Sequence, residues 1–486
     1  MLKQRALSAT VWSGTDILLR QGLQFVVAVT LARLLSPSDF GTIALLALFT
    51  GIATVFVDGG FSAALIQNQD VDHVDESTVF WFNLAIGLVV ALALGIAAPA
   101  IAAFYGQPIL VPLMAVMALN VFIGALGAIH RTLLTKHLNF RIQVKIGAIA
   151  AVASGVISIF MAWHGYGVWA LAAQVILMTG ISTSLLWLWH PWRPGWSMSG
   201  VSARKLIGFG GYHLASSLLE IVYSRLYTVL IGRFYSARAL GFYNNADTTA
   251  QMPGGFLTGV LTRVALTMFS VAAEDKAKLR RGMQLSTRAM MLINVPMMLG
   301  MAAVAEPLVR TLFGERWLSA VPILRVLCLA AVLLPLHVIN LNVLMAQGHS
   351  RLMFRLEVIK KLLGVLLICA GALFGVLGIA WSQVIFSSLS FFINAHYSRR
   401  FLDYGVGAQL RDFGPVLGVG IAMAIIVYLT SITWWMESML ELFTLVILGA
   451  VLFLAAAWML RLAALNDVAA LFRRPPSTAI GDLGAK

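Results

Sequence analysis

Apolar runs of about twenty residues recur along this whole chain, and they constrain its fold more than any motif does. A helix of roughly 20 apolar residues crosses about 30 Å of hydrocarbon with its backbone N–H and C=O groups paired internally. Runs of this kind fall near 10–33, 41–65, 80–104, 109–130, 146–163, 167–189, 208–232, 242–271, 286–305, 320–346, 358–374, 377–396, 414–433 and 440–460, fourteen in all. The eighth is the least regular. It holds Asn244, Asn245 and Asp247 and then Pro253-Gly254-Gly255, where a break or kink is expected. The first run follows Lys3 and Arg5 as a signal peptide would. It carries Asp16, Arg20 and Gln24 and continues to Leu35, too long and too polar for a cleaved segment. A chain that is 60% hydrophobic and 11% charged, with a mean hydropathy of +0.89, is not an ordinary soluble protein. The expectation is an all-α polytopic membrane protein.

The net charge of +14 would suit a nucleic-acid binder, but its placement argues otherwise. With the N-terminus inside, the predicted inner segments hold 25 of the 34 Lys and Arg residues and the outer segments 5. Cytoplasmic segments are enriched in this way. Arg131, Lys136, Arg141 and Lys145 are among the residues counted as inner. The inner loop from Gln67 to Ser77 is an acidic exception, with Asp70, Asp72, Asp75 and Glu76. The basic charge is thus topogenic, both termini are cytoplasmic, and no nucleic-acid partner is expected. The tail after Arg461 reads as a short solvated end, and no soluble stretch is large enough to be an enzyme.

A short pattern occurs twice. Arg33, Ser36 and Gly41 follow one apolar run; Arg233, Ser236 and Gly241 follow another, 200 residues on. Pro99 and Gly106 match Pro307 and Gly314 at an offset of 208, and Gln174-Val175-Ile176 matches Gln383-Val384-Ile385 at 209. Three loops matching in order point to an internal duplication, the usual plan of a transporter with a site between two halves. The expected organisation is a six-helix lobe over 1–195, a second over 196–402, and helices 13 and 14 with a cytoplasmic tail over 403–486. The stretch from His190 to Lys205 reads as the linker.

Ionisable groups at bilayer depth are expensive unless they face a cavity or a partner. Helix one carries Ser13, Asp16, Arg20 and Gln24; at 100° per residue they form one stripe within about 60°. Helix seven carries His213, Ser217, Glu220, Ser224 and Tyr227 on a similar stripe. The two stripes read either as the lining of a shared hydrated cavity or as structural pairings, Asp16 with Arg20 or Arg20 with Glu220. Asp58, late in helix two, reads as a coupling site or a helix-end contact. Arg225 and Arg263 line the cavity or snorkel to an interface.

No catalytic constellation stands out. The nine histidines show no metal spacing, and there is no phosphate loop of the Walker type. Cys328 and Cys369 both lie in apolar runs and read as small buried hydrophobes. Trp187, Trp189, Trp192, Trp196, Trp434 and Trp435 cluster at span ends, as an interfacial belt would, with no sugar-stacking platform among them.

Several stretches resemble a known family. Ala32-Arg33-Leu34-Leu35-Ser36-Pro37-Ser38-Asp39-Phe40-Gly41 is similar to the start of bacterial polysaccharide transporters, the Wzx-like flippases. So are Asp58 to Ile66, Ser77 to Asn83, Gly167-Val168-Trp169-Ala170-Leu171, Ile231-Gly232-Arg233, Leu240-Gly241-Phe242-Tyr243-Asn244 and Ala305-Glu306-Pro307-Leu308-Val309. The resemblance is closest to the colanic-acid-exporter-like branch and covers nearly the whole chain. It implies the multidrug/oligosaccharidyl-lipid/polysaccharide exporter superfamily, whose fold has two six-helix lobes forming a V, often with two added helices. It implies an undecaprenyl-diphosphate-linked oligosaccharide as substrate, moved across the bacterial inner membrane by alternating access for exopolysaccharide, capsule or O-antigen synthesis. A polysaccharide polymerase and assembly proteins are the implied partners. Relatives often carry an acidic residue four positions before Ile-Gly-Arg; here that position is Tyr227.

The diphosphate needs cations, and Arg20 is the first candidate, with Arg225 and Arg263 behind it. Gln24, His213, Glu220, Ser224 and Tyr227 complete the expected cavity. No cofactor is expected beyond a coupling H+ or Na+ acting through Asp16, Asp58 or Glu220. A drug/cation antiporter of the same superfamily, or a non-transporting scaffold for polymer assembly, are the competing readings.

Overall fold

The computed structural model of the chain describes residues 22–67, 71–196, 214–271, 275–433 and 438–467, and for 63, 255–268, 270, 271, 350 and 438 the backbone alone. Every regular element among them is helical. Eleven of the described helices are long and apolar enough to cross a membrane. The expected spans 10–33, 242–271 and 358–374 correspond to helices that miss this measure. The first is described only as Gly22–Leu34, and the other two hold many polar and charged residues. The chain forms two compact units, Met1–Gly241 and Phe242–Lys486.

The first unit contains α1 (Gly22–Leu34), α2 (Pro37–Asp58), α3 (Phe61–Gln67), α4 (His73–Tyr105), α5 (Leu110–Lys136), α6 (Phe140–Trp163), α7 (Val168–Trp189) and α8 (Leu214–Phe234). Helix α4 packs along α5, α6 along α7, and α5 against α7; α2 lies against α4, α5, α7 and α8. Local chemistry sets the start of α2. Ser36 Oγ accepts from Asp39 N at 3.3 Å and the Asp39 carboxylate accepts from Ser36 N at 3.0 Å, a reciprocal cap followed by Pro37. At the matching position 200 residues later, Ser236 Oγ accepts from Ala239 N at 3.1 Å and caps α9 (Ala237–Val271). The repeated pattern is therefore a repeated cap. Its glycines meet each other's helix starts. A Cβ at Gly41 would lie 1.6 Å from the Ala237 carbonyl oxygen, and one at Gly241 would lie 1.9 Å from that of Pro37. Only residues without a side chain allow this approach.

The second unit continues with α10 (Lys276–Ala303), α11 (Ala305–Leu312), a 3₁₀ turn, α12 (Val321–Ala331), α13 (Leu334–Ala346), α14 (Ser350–Ala372), α15 (Gly375–Leu402), α16 (Val406–Thr433) and α17 (Ser438–Met459). The last two helices dock on α10 and α11, with Met291, Val295, Met298, Phe413, Val416 and Phe453 in the shared core. The expected single span 320–346 is divided between α12 and α13. Pro335 has no N–H to return to Ala331, so carbonyls are freed within an apolar span. Side chains satisfy them: Asn294 Nδ2 donates to the Ala331 and Val332 carbonyls at 3.1 and 2.9 Å, and Ser387 Oγ donates to Ala330 at 2.8 Å.

Three details differ from the sequence expectation. Helix α9 runs unbroken through Pro253, whereas α8 is interrupted by a turn at Arg225. Cys369 is exposed rather than buried, although Cys328 is buried as expected. Arg131 is not in a loop: α5 continues past it to Lys136.

Candidate functional site

The polar groups of the first unit gather where α2, α5 and α7 meet. Helix α2 ends at Asp58 because Gly59 takes a left-handed conformation, φ +53°, which closes the helix. That places the Asp58 carboxylate within reach of α3, where Ser62 Oγ donates to its Oδ1 at 2.5 Å and lies 2.9 Å from Thr132 Oγ1. A cavity of about 350 Å³ opens beside them, lined by Thr54, Asp58, Ser62, Asn120, Arg131 and Thr179 among others. The volume sits at the lower end of the range for ligand sites.

Arg131 supplies the cation. Side chains on a helix lean toward its N-terminus, and Arg131 follows that direction: its Nη2 donates to the Gly124 carbonyl, two turns back, at 2.9 Å. Among the described residues Arg131 forms no ion pair, although Asp58 lines the same cavity. The Asn120 side-chain oxygen is buried there without a hydrogen-bond partner. A second cavity of about 320 Å³ lies beyond Arg131, lined by Thr135, Gln143, Thr179 and Ser182. Gln143 Nε2 is held by Thr135 Oγ1 at 2.9 Å and the Arg131 carbonyl at 3.2 Å.

The expected site residues are distributed unevenly. Asp16, Arg20 and His213 lie outside the described residues, as does the side chain of Arg263. Gln24 is exposed on α1. Glu220 and Ser224 are exposed on α8, with Ser224 Oγ turned back to the Ile221 carbonyl at 3.2 Å. Arg225 forms the turn of α8 and its Nε is buried without a partner, while Tyr227 is buried two residues further on. Ser217 of α8 and Asp58 of α2 line one smaller cavity. Of the expected residues, then, Asp58 stands in the polar cavity.

At the same end of the unit, the segment after α7 folds back over α4 and α5. Trp192 Nε1 donates to Glu76 Oε2 at 2.7 Å, Trp81 Nε1 to the Gly195 carbonyl at 2.9 Å, and Trp81 stacks on Trp196 with ring centres 5.1 Å apart. Arg193 donates to the carbonyls of Trp187, His190 and Trp192 and lies over the Trp187 ring. His190 Nδ1 accepts from Trp192 N at 3.3 Å. Burial, with His137 and Arg193 nearby, holds His190 below the usual histidine pKa, as an acceptor nitrogen requires. These tryptophans fasten a strap to the unit.

In the second unit, Arg288 binds Asp412 at 2.6 Å and Asp467 at 3.0 Å, and Tyr404 donates to Asp412 at 2.7 Å. Burial and this carboxylate keep the Tyr404 hydroxyl protonated, well above the usual tyrosine range. Asn340 exchanges hydrogen bonds with Gln409 at 3.0 and 3.2 Å and accepts from Ser398 at 2.6 Å. At the opposite end Glu306, Arg310, Arg325, Tyr428 and Glu441 surround a smaller pocket. Among the described residues no group of three or more His, Cys, Asp or Glu side chains is placed to hold a metal.

The model of the family described as polysaccharide biosynthesis protein matches residues 30–322. The chain belongs to this family. It is 27% identical to the teichuronic acid biosynthesis protein TuaB of Bacillus subtilis, over 89% of this chain and 90% of that one. It is 28% identical to the lipopolysaccharide biosynthesis protein WzxC of Escherichia coli, over 81% of each. The fold is that of the lipid II flippase MurJ in its inward closed conformation: TM-score 0.77 at 14% identity, covering 93% of this chain and 98% of MurJ. The expected family and fold class hold. Arg131 is the residue that charge counting missed. Its signal was present: Asn120, Gly124, Ala128, Arg131 and Thr135 recur at helical spacing on α5.

Proposed function

We propose that the chain is a flippase that carries lipid-linked oligosaccharide units, built on undecaprenyl diphosphate, from the cytoplasmic to the periplasmic leaflet of a bacterial inner membrane. The observation that carries this reading is the family match joined to a cation-bearing polar cavity among membrane helices. A sugar head is too polar for hydrocarbon and needs such a shelter. The fold shared with MurJ and the kinship with TuaB and WzxC support a role in polymer export rather than catalysis. The proposed organisation is two six-helix lobes, 1–195 and 196–402, with two added helices, fourteen spans in all and both termini cytoplasmic.

Translocation proceeds by alternating access. The diphosphate moves outward, away from the negative inner side, and the potential favours this transfer of anionic charge by about 2.3 kcal/mol per charge per 100 mV. Arg20, with Arg225 and Arg263, is the proposed diphosphate partner, and Asp16, Asp58 and Glu220 are the proposed proton or sodium sites. A polymerase and assembly proteins take the product. The test is the sidedness of lipid-linked oligosaccharide in cells lacking the chain. Accumulation on the cytoplasmic face is expected; normal export in its absence would falsify the proposal.

A further inference from the structure

The two cavities of the first unit share two walls, Arg131 and Thr179. Their chemistry is complementary to one kind of molecule. Thr54, Ser62, Asn120 and Thr179 line the first, and Thr135, Gln143, Thr179 and Ser182 line the second. Hydroxyls and amides of this kind exchange hydrogen bonds with sugar hydroxyls. The Asn120 oxygen is buried with no donor supplied by the protein, and an unmet buried acceptor is costly unless a ligand meets it. Between the cavities stands a guanidinium with one hydrogen bond, to Gly124, and no ion pair among the described residues. A planar fork of donors fits a carboxylate.

We infer that this chamber is a saccharide subsite, and that Arg131 makes it select a sugar bearing a carboxylate, such as a hexuronic acid. The inference rests on the flippase reading and adds the substrate class and the residue that sets it. Asn120 orients the sugar by accepting a ring hydroxyl. Asp58, held by Ser62, lines the same chamber and disfavours the acid group beside itself, so the acid group is directed to the Arg131 fork.

The full chain, reconstituted in vesicles, is given two undecaprenyl-diphosphate disaccharides, one ending in glucose and the other in glucuronic acid. Membrane-impermeant periodate reports how fast each glycan changes leaflet. The expected wild-type rate ratio, acid to neutral, is about tenfold, the scale of one charge-assisted hydrogen bond. In Arg131→Gln the ratio falls to about one, and in Arg131→Lys it lies between, because charge without the fork restores part of the preference. In Asn120→Asp, which adds a carboxylate to the same chamber, the ratio falls below that of the wild type. The diphosphate is common to both glycans. If Arg131 served it instead, Arg131→Gln would slow both equally and keep the ratio, and the inference would be overturned. A wild-type ratio of one overturns the inference and leaves the flippase standing. A wild type that moves neither glycan overturns the flippase reading itself.

Discussion

Helix α5 of the first unit and the α12–α13 pair of the second end in the same hydrogen-bond pattern, yet they treat polar groups in opposite ways. The match is visible in their ends. Amides of His137, Leu138 and Asn139 return to Leu133, Thr135 and Leu134, and those of Gln347, Gly348 and His349 return to Val343, Met345 and Leu344, the same pattern 210 residues on. Helix α5 is continuous and leaves Arg131 facing open space. The α12–α13 pair is broken, and its freed carbonyls are taken up by Asn294 and Ser387 while Asn340 is locked to Gln409 and Ser398. The same end pattern closes the wall of a chamber in one unit and a fastened joint in the other. A satisfied network rigidifies; a charge left open to a cavity is available to a ligand.

The contrast is most exposed to failure at Arg288. Arg288→Met strands the Asp412 and Asp467 carboxylates, and the expected loss is near the lower end of roughly 3–5 kcal/mol because the group is only partly buried. Thermal unfolding in detergent measures it. A smaller loss than that of any first-unit cavity variant would reverse the comparison. Asn340→Leu comes next, at about 1–3 kcal/mol, since it leaves buried groups of Gln409 and Ser398 unpaired. In the same assay Arg131→Gln should shift stability by no more than about 0.5 kcal/mol. A shift as large as that of Asn340→Leu would mean that Arg131 is structural.

The smallest effect concerns acid. It lies in the strap of the first unit, at His190. Its folded pKa is lowered from 6.5, so the strap's contribution is complete above that value and is lost as pH falls below it. Hydrogen exchange at the Trp192 amide, corrected for intrinsic rates, should rise between pH 7.5 and 5.5 in the wild type. It should rise less in His190→Asn, and equal slopes would remove the histidine from the account.

Much of the fold is legible from runs of Leu, Ile, Val and Ala, because hydrocarbon imposes one solution on the backbone. The repeat was readable for a related reason: Ser36, Gly41 and their partners at 236 and 241 do work that few residue types can do, capping a helix and allowing backbone to touch backbone. The site was less legible. Arg131 lies near a span end, where a basic residue has an ordinary explanation in topology, and only its stripe with Asn120 and Gly124 marks it as different. The division between α12 and α13 depends on Asn294 and Ser387, which are 41 and 52 residues from Pro335 in sequence. No local pattern announces partners at that distance.

The crossing of Gly41 with Ala237, and of Gly241 with Pro37, also sets a schedule for biosynthesis. Its two sides are 200 residues apart, which at about 5–20 residues per second is about 10–40 s of translation. For that interval the start of α2 waits in the membrane with its bare glycine face uncovered. The first unit is completed only when the opening turn of α9 has been made.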